Sequence, residues 1–274
     1  NGSGYQFGNL MKAGFRAFFV YALTATLACS AGDSGSDAAE GTEDITRSLL
    51  AQPAGDGVST TLAVDESLAS QGPRVSVAEV GFNRGDTTAL VKVLEMSDYG
   101  CGYCRKFHEE SFGPILEEFI EAGMVEWKFV PYITGMFENS LAVTEAAECA
   151  YAQSPDAFEA LNGRLWADQA VWKGSSEPEA LVHGWVSELG VDMTSFDACL
   201  ALDERIPRIA SATTLAQQLG VRGTPTFVVI GWPPIQGALP LQVFRDVLAA
   251  AHNELQSLQE GSGEVGGGAG GAGP

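Results

Sequence analysis

Two cysteines separated by two residues, Cys101-Gly102-Tyr103-Cys104, carry the most legible chemistry in this chain. A cysteine acts as nucleophile or metal ligand through its thiolate, so the spacing supports dithiol–disulfide exchange or half of a metal site. Exchange needs the first thiol at a helix N-terminus, where unpaired backbone N–H groups and the helix dipole favour the anion. Such a site lowers the thiol pKa from about 8.5 into roughly the 3.5–7.5 range. Cys104, three residues on, shares the helix face and can close a disulfide or attack one. A zinc site would instead use Cys101, Cys104 and His108, which fall on one face. A structural zinc normally takes four ligands in two clusters, yet the chain has no second Cys-x-x-Cys and no His-x-x-x-His. Redox chemistry is the better reading. No metal or other cofactor is expected, and His108 reads as a partly exposed helix residue.

The elements that must position these thiols lie on either side. Ala89–Met96 is apolar enough for a buried strand, and a helix is expected from about Cys101 to Ala122, with Phe107, Ile115, Leu116, Phe119 and Ile120 turned inward. Pro114 should kink or interrupt it, since proline removes a backbone donor and clashes with the preceding turn. Val75–Val80 reads as a short leading strand and Val125–Val130 as a second core strand. A helical block follows at about 138–219, with one helix opening at Ser140, another at Ser176 with Pro178 in its first turn, and Gly220 ending the last. Strand returns at Thr226–Ile230, then a turn at Gly231-Trp232-Pro233-Pro234. A final helix starts near Pro240 and carries Val243, Val247, Leu248 and Leu255 toward the core. The expected class is α/β, with a helical block interrupting an α/β unit.

The start of the chain bears on compartment. Residues 1–10 precede the first Met and read as a fragment end or upstream read-through. From Met11 come Lys12 and Arg16, an apolar run from Ala17 to Ala28, and then Cys29. That run falls short of the about 20 residues a membrane span needs, and its basic flank marks a signal peptide. Thr26-Leu27-Ala28-Cys29 resembles a bacterial lipobox with Thr in place of the preferred Leu, which would make Cys29 a lipidated N-terminus. An ordinary signal peptide cut near Ala28 is the alternative, and both export the protein. Residues 1–28 are accordingly read as extension and signal, 29–74 as a disordered acidic tether, 75–258 as the ordered domain, and 259–274 as a Gly-rich tail.

Composition supports an exported domain: 45% of residues are hydrophobic, enough for a core, and the net charge of −20 would be repelled by phosphates, so nucleic acid is not an expected partner.

Val93-Leu94-Glu95 upstream of the Cys-x-x-Cys, a helical insertion, and Gly223-Thr224-Pro225-Thr226-Phe227 opening a late strand together resemble the DsbA-type, thioredoxin-fold oxidoreductases. The resemblance covers roughly residues 75–258 and implies a thioredoxin fold with an inserted α-helical domain. It also implies that Cys101 and Cys104 are catalytic, and that Pro225 is cis and lies against the active-site disulfide. Thr224 would offer its backbone to a bound substrate strand, with Gly102 and Tyr103 beside it. A Thr-Pro at a strand start, where a missing N–H is tolerated, suits a fixed turn on its own account.

Cys-Gly-Tyr-Cys followed by Arg-Lys-Phe-His departs from the Pro-His dipeptide of DsbA and looks like the isomerase branch, DsbC and DsbG. Tyr103 has no cationic form, so a weaker oxidant than DsbA is expected. Those isomerases need an N-terminal dimerisation domain, and residues 30–74 are too polar and Gly-rich to supply one, so a monomer is expected. Alternation places Glu95 on the same strand face as Val91 and Val93, a costly place for a charge unless it is paired or protonated. The resemblance gives this acid a role in moving the proton of the second cysteine; a strand-end Glu reaching solvent, or pairing with Lys92 or Lys128, is the alternative.

Cys149 and Cys199 lie in apolar contexts of the helical block. Cysteines of exported proteins tend to pair, and some DsbA-like proteins carry a second disulfide there; two buried free thiols are the alternative. The function expected is thiol–disulfide exchange with extracytoplasmic protein thiols and disulfides, recycled by a membrane redox partner. A disulfide isomerase or reductase is the runner-up, and a non-catalytic peptide-binding module the alternative outside enzymes.

Overall fold

The computed structural model describes residues 45–50 and 74–264. A five-stranded sheet forms its centre, with strands in the order β1–β3–β2–β4–β5. These are β1 (Phe82–Arg84), β2 (Val91–Ser97), β3 (Val125–Pro131), β4 (Thr226–Val229) and β5 (Ile235–Gln236). β2 and β3 pair in parallel, with Val93 opposite Trp127 and Glu95 opposite Phe129. β1 runs antiparallel to β3, and β4 antiparallel to both β2 and β5. Both faces of β2 are covered, which explains its nearly unbroken apolar sequence. Val91 and Val93 face a cluster with Phe107, Ile115 and Phe119 of the helix after β2 and Val243, Phe244 and Val247 of the last helix. Leu94 and Met96 face Ala212, Leu215 and Ala216 on the other side.

Helix α1 starts at Gly102–Phe107, continues through the π-helical stretches His108–Phe112 and Leu116–Ile120, and has Gly113–Ile115 between them. The expected break at Pro114 does not occur. Phe112, Gly113, Ile115 and Leu116 all keep right-handed helical dihedrals. Widening the turn moves hydrogen bonding from the fourth to the fifth preceding residue, which relieves the clash between a proline ring and the carbonyl one α-turn back.

The helical block between β3 and β4 comprises α2 (Ser140–Gln153), α3 (Pro155–Ala167), α4 (Gln169–Gly174), α5 (Pro178–Ser187), α6 (Met193–Ala201) and α7 (Ile206–Gln218). Its own core, containing Leu161, Leu165, Trp172, Val186 and Phe196, is continuous with Tyr99, Cys101 and Cys104. The inserted domain thus packs directly on the Cys-x-x-Cys segment. Gly220, at φ +71°, follows α7 as a left-handed stop.

Several boundaries differ from expectation. Val75–Val80 is not a strand: Ser76 accepts a hydrogen bond from the Ala78 amide, and Val77–Glu79 turn into one 3-10 turn. The strand comes later, at Phe82–Arg84, after Gly81, where a Cβ would lie 2.4 Å from the Phe129 carbonyl oxygen. The two-residue β5 follows the Trp232-Pro233-Pro234 turn, too short to leave a periodic signature. Residues 45–50 are helical within the segment read as tether, and Leu49 packs on the core that α1 shares with the last helix. The last helix, α8 (Leu241–Glu264), extends into the segment read as tail. Among the described residues, no helix is long and apolar enough to cross a membrane.

Candidate active site

The loop leaving β2 delivers Cys101 to the N-cap of α1, with φ −77° and ψ 123°. Its amide donates to the Asp98 carbonyl at 2.9 Å, and its carbonyl accepts the first helical bond from Arg105 at 3.1 Å. Cys104 follows one turn later and is fully buried, whereas Cys101 retains 4% exposure. Both are free thiols.

Their ionisation differs in direction. The Cys101 pKa falls from 9.0 to about 6: the hydrogen bond from the Cys104 thiol is the largest cause, burial opposes it, and Thr224 with the amides of Cys104 and Tyr103 adds to it. The Cys104 thiol is pushed up, first by burial and then by its bond to Cys101. At neutral pH the pair therefore offers one thiolate, on Cys101, with a protonated partner behind it.

Opposite these sulfurs lies the start of β4. The Thr224–Pro225 peptide is cis, and the Thr224 carbonyl oxygen is 3.4 Å from Cys101 Sγ. A groove of about 730 Å³ runs between this segment and α1. Cys101, Gly102, Tyr103, Met136, Phe137 and Thr224 line it. Tyr103 and Met136 are 70% and 72% exposed, giving the groove an apolar rim. A Cβ at Gly102 would meet nothing within 4 Å, so the space beside Cys101 is open. At Gly100, by contrast, a Cβ would lie 2.3 Å from Phe137, so only glycine lets that ring close the groove.

The loop is held from two sides. The Asp98 carboxylate accepts from the Gly100 amide at 2.9 Å, from the Thr134 amide at 3.2 Å and from the Ser140 hydroxyl. From α4, the Gln169 side-chain amide donates to the carbonyls of Tyr99 (2.6 Å) and Cys101 (2.9 Å), and Lys173 donates to that of Gly100 (2.5 Å). Gln169 and Lys173 are not foreseeable from local spacing, because the helical block brings them from some seventy residues away.

Glu95 is completely buried. It pairs with neither Lys92, which reaches Glu126, nor Lys128, which donates to the Val80 carbonyl. Its carboxylate accepts from Ser97 Oγ at 2.7 Å and Trp127 Nε1 at 2.9 Å, and meets His108 Nε2 at 2.7 Å. Burial pushes its pKa up, but the His108, Ser97 and Trp127 contacts outweigh that and leave it below the ordinary value. His108 is a half-buried helix residue, as the sequence suggests, but its side chain is turned inward: it is 5% exposed and its ring stacks on Trp166 at 4.3 Å. The signal available in sequence was the shared face of Cys101, Cys104 and His108, together with Ser97 two residues beyond Glu95 on the same strand face.

Elsewhere, Cys149 of α2 and Cys199 of α6 form a disulfide with Cα atoms 6.0 Å apart. Cys29 lies outside the described residues. Among those residues no group of three or more His, Cys, Asp or Glu is arranged to hold a metal.

Against known proteins, a family model described as Thioredoxin matches residues 78–232, more than half of the chain. The chain is 26% identical over 151 residues to disulfide bond formation protein D of Bacillus subtilis, covering 53% of this chain and 65% of that protein. It is 33% identical over 148 residues to Na(+)/H(+) antiporter NhaA 1 of Salinispora arenicola, covering 54% of this chain but 21% of that protein. The chain thus spans about a fifth of one of these relatives and just under two thirds of the other. Among solved structures, oxidised BdbD of Bacillus subtilis matches with a TM-score of 0.55 at 20% identity, covering 66% of this chain and 96% of that one. Wolbachia pipientis alpha-DsbA1 matches with a TM-score of 0.57 at 18% identity, covering 65% and 93%. These likenesses bear out the thioredoxin fold with an inserted helical domain.

Proposed function

Because the chain belongs to the thioredoxin family, we propose that it is a DsbA-type thiol–disulfide oxidoreductase acting on extracytoplasmic proteins through Cys101 and Cys104. The observation that carries this reading is the asymmetry of the pair: Cys101 at a helix N-terminus with a pKa of about 6, and Cys104 buried and protonated one turn behind it. In the oxidant direction a substrate thiolate attacks Cys101 Sγ and forms a mixed disulfide, and a second substrate thiolate then resolves it. Cys101 and Cys104 are left as thiols, to be reoxidised by a membrane partner. The Thr224 carbonyl lies beside the attacked sulfur, and the groove beside Tyr103 and Met136 suits an extended apolar segment. An extracytoplasmic compartment suits this chemistry, and the Thr26-Leu27-Ala28-Cys29 sequence supports export with lipidation at Cys29.

The oxidising strength of the disulfide depends on the same asymmetry. A thiolate stabilised more strongly makes the disulfide more oxidising: thiol pKa values of about 7 and 3.5 accompany potentials of roughly −270 and −120 mV in thioredoxin and DsbA. A pKa of about 6 lies above that of DsbA, which makes this site the weaker oxidant, in keeping with Gly102-Tyr103 between the cysteines. That value leaves reductase or isomerase work open to the same site.

Oxidative refolding of a reduced, disulfide-containing substrate by the purified oxidised protein, run beside insulin reduction, tests the proposal. Wild type should catalyse exchange, and Cys101→Ser should abolish it. A wild-type protein that binds peptides but exchanges no disulfide in either assay would make it a binding module instead.

A further inference from the structure

Helix α2 carries two buried glutamates, Glu145 and Glu148, and the fold treats them differently. Glu148 receives Arg208, whose guanidinium also lies over the rings of Phe82 and Tyr151. Arg205, the other cation nearby, acts on Glu148 as well. Among the described residues no cation reaches Glu145. It is 9% exposed, and its Oε1 is buried without a hydrogen-bond partner. Burial, and then the like charges of Asp203 and Glu179, push its pKa up. A buried carboxylate with no positive partner is costly to the fold.

All three of these acids line one cavity of about 220 Å³ in the helical block. Glu145 comes from α2, Glu179 from α5 and Asp203 from the turn after α6, while Val182, Phe196 and Leu200 supply apolar wall. His183, also in the lining, is engaged by Asp197 at 2.7 Å. Among the described residues no group of three acid, His or Cys side chains is gathered tightly enough for a metal ion. Acids spread over three elements suit instead a cation whose donors are spread over its own framework. A guanidinium is planar, presents five N–H donors, and is more weakly hydrated than an ammonium. Its aliphatic stem can pack on apolar wall while the head meets carboxylates. Arg208 on Glu148 is the same recognition made within the chain. At the entrance Glu179 and Asp203 are exposed. Leu202 and Leu141, which adjoin the lining residues Asp203 and Ala142, are 69% and 43% exposed. An apolar rim around a charged pocket fits a peptide chain flanking the inserted side chain. Residues 51–73 and 265–274 contain no Lys or Arg, and residues 1–44 contain only Lys12 and Arg16, both in the segment read as signal peptide. The arginine is therefore assigned to a different chain.

We propose that the cavity between α2, α5 and α6 is a docking pocket for an arginine side chain of another polypeptide, with Glu145 at its floor, Glu179 and Asp203 at its mouth, and Leu141 and Leu202 flanking the entrance. The pocket goes beyond the exchange chemistry proposed above and does not depend on it.

Nitrogen-15 NMR titration of the full chain with N-acetyl-arginine methylamide reads the site. Saturable shifts should appear at the amides of Ala142, Glu145, Val182 and Asp203, and the uncharged isostere N-acetyl-citrulline methylamide should produce none. A blocked pentapeptide with arginine between leucines should bind more tightly than the single residue, through Leu141 and Leu202. Glu145→Gln and Glu179→Gln should each weaken binding about tenfold, the loss of a hydrogen bond to a charged group. Glu254→Gln, which changes the net charge equally but on α8, should leave binding within about twofold. Folding is not at risk in either cavity variant, since Glu145→Gln removes an unpaired buried charge and Glu179 is exposed. Absence of saturation with the arginine derivative, equal shifts from the citrulline derivative, or binding unchanged in both cavity variants would overturn the proposal. Calcium chloride saturating the same amides where the arginine derivative does not would make this a metal site and overturn it as well. A pentapeptide that binds more weakly than the single blocked residue would overturn the polypeptide as the source.

Discussion

The hydrogen bond from the Cys104 thiol is the largest influence holding the Cys101 pKa at about 6 against an ordinary 9.0, so Cys104→Ala is the decisive perturbation. A hydrogen bond to a charged group contributes about 1.5–3 kcal/mol, equivalent to about 1–2 pKa units. Titration of the variant should therefore centre near pH 7–8, by absorbance of the thiolate or by alkylation rate. In wild type at pH 5, a pKa of about 6 leaves roughly a tenth of Cys101 ionised, about a thousandfold more than an ordinary thiol. Intrinsic nucleophilicity falls as pKa falls, with a Brønsted slope of about 0.4–0.5, which returns a factor of roughly twenty. Iodoacetamide should thus react some 40-fold faster than with an ordinary thiol at pH 5, and about tenfold slower at pH 9, where ionisation favours Cys101 by only about twofold. The same shift links to folding. With the folded thiol titrating near 6 and an ordinary thiol at 9.0, the reduced form gains stability across that window, fully present above it and lost below it. The disulfide form has no thiol to titrate and gains none. A wild-type midpoint of 8.5 or higher, or an unshifted Cys104→Ala midpoint, would refute the reasoning.

Removing the second disulfide should cost stability without removing the active site: Cys149→Ala/Cys199→Ala opens a loop of 50 residues, worth about 4 kcal/mol in the chain-entropy model, readable as a lower urea midpoint. A loss under about 1 kcal/mol would mean that packing of the block makes the bridge redundant. Arg208 donates to the Glu148 carboxylate and to the carbonyls of Glu79 and Gly81, while its guanidinium lies over Phe82. Arg208→Ala leaves Glu148, 1% exposed, as an uncompensated buried charge and should cost about 3–5 kcal/mol near neutral pH. Burial already raises the Glu148 pKa, so the loss should shrink as falling pH protonates it; a pH-independent loss would refute that origin.

Local patterns sufficed for the parts of the fold built from nearby residues. The apolar run of β2, the cysteines at the start of α1, and Thr224-Pro225 opening β4 each announce themselves within a few positions. What escaped was set by tertiary approach. His108 reads as partly exposed because its neighbours Lys106, Glu109 and Glu110 are charged; the inward turn of its ring depends on Trp166, supplied by a helix beyond β3. Glu95 looked as though it needed a lysine, because nothing local shows that Trp127 and His108 converge on it. Helical packing at residues 45–50 was masked by the Ser/Gly/Asp-rich sequence around it, although Ile45 and Leu49 already stand at i,i+4 spacing.

The inserted helical domain does more than cover the sheet. Ser140, the first residue of α2, donates to Asp98, and Asp98 in turn holds the Gly100 amide. The carbonyls of Tyr99, Gly100 and Cys101 are taken by Gln169 and Lys173 of α4. Because peptide units are planar, fixing the Gly100 amide and the Tyr99 carbonyl fixes the whole unit they share. The helix start beyond it then keeps the Tyr103 and Cys104 amides aimed at the Cys101 sulfur, where they favour the thiolate. The Cys149–Cys199 bridge ties α2, whose first turn carries Ser140, to α6. A disulfide that takes no part in exchange is thereby connected, through α2, Ser140 and Asp98, to the geometry that makes Cys101 reactive.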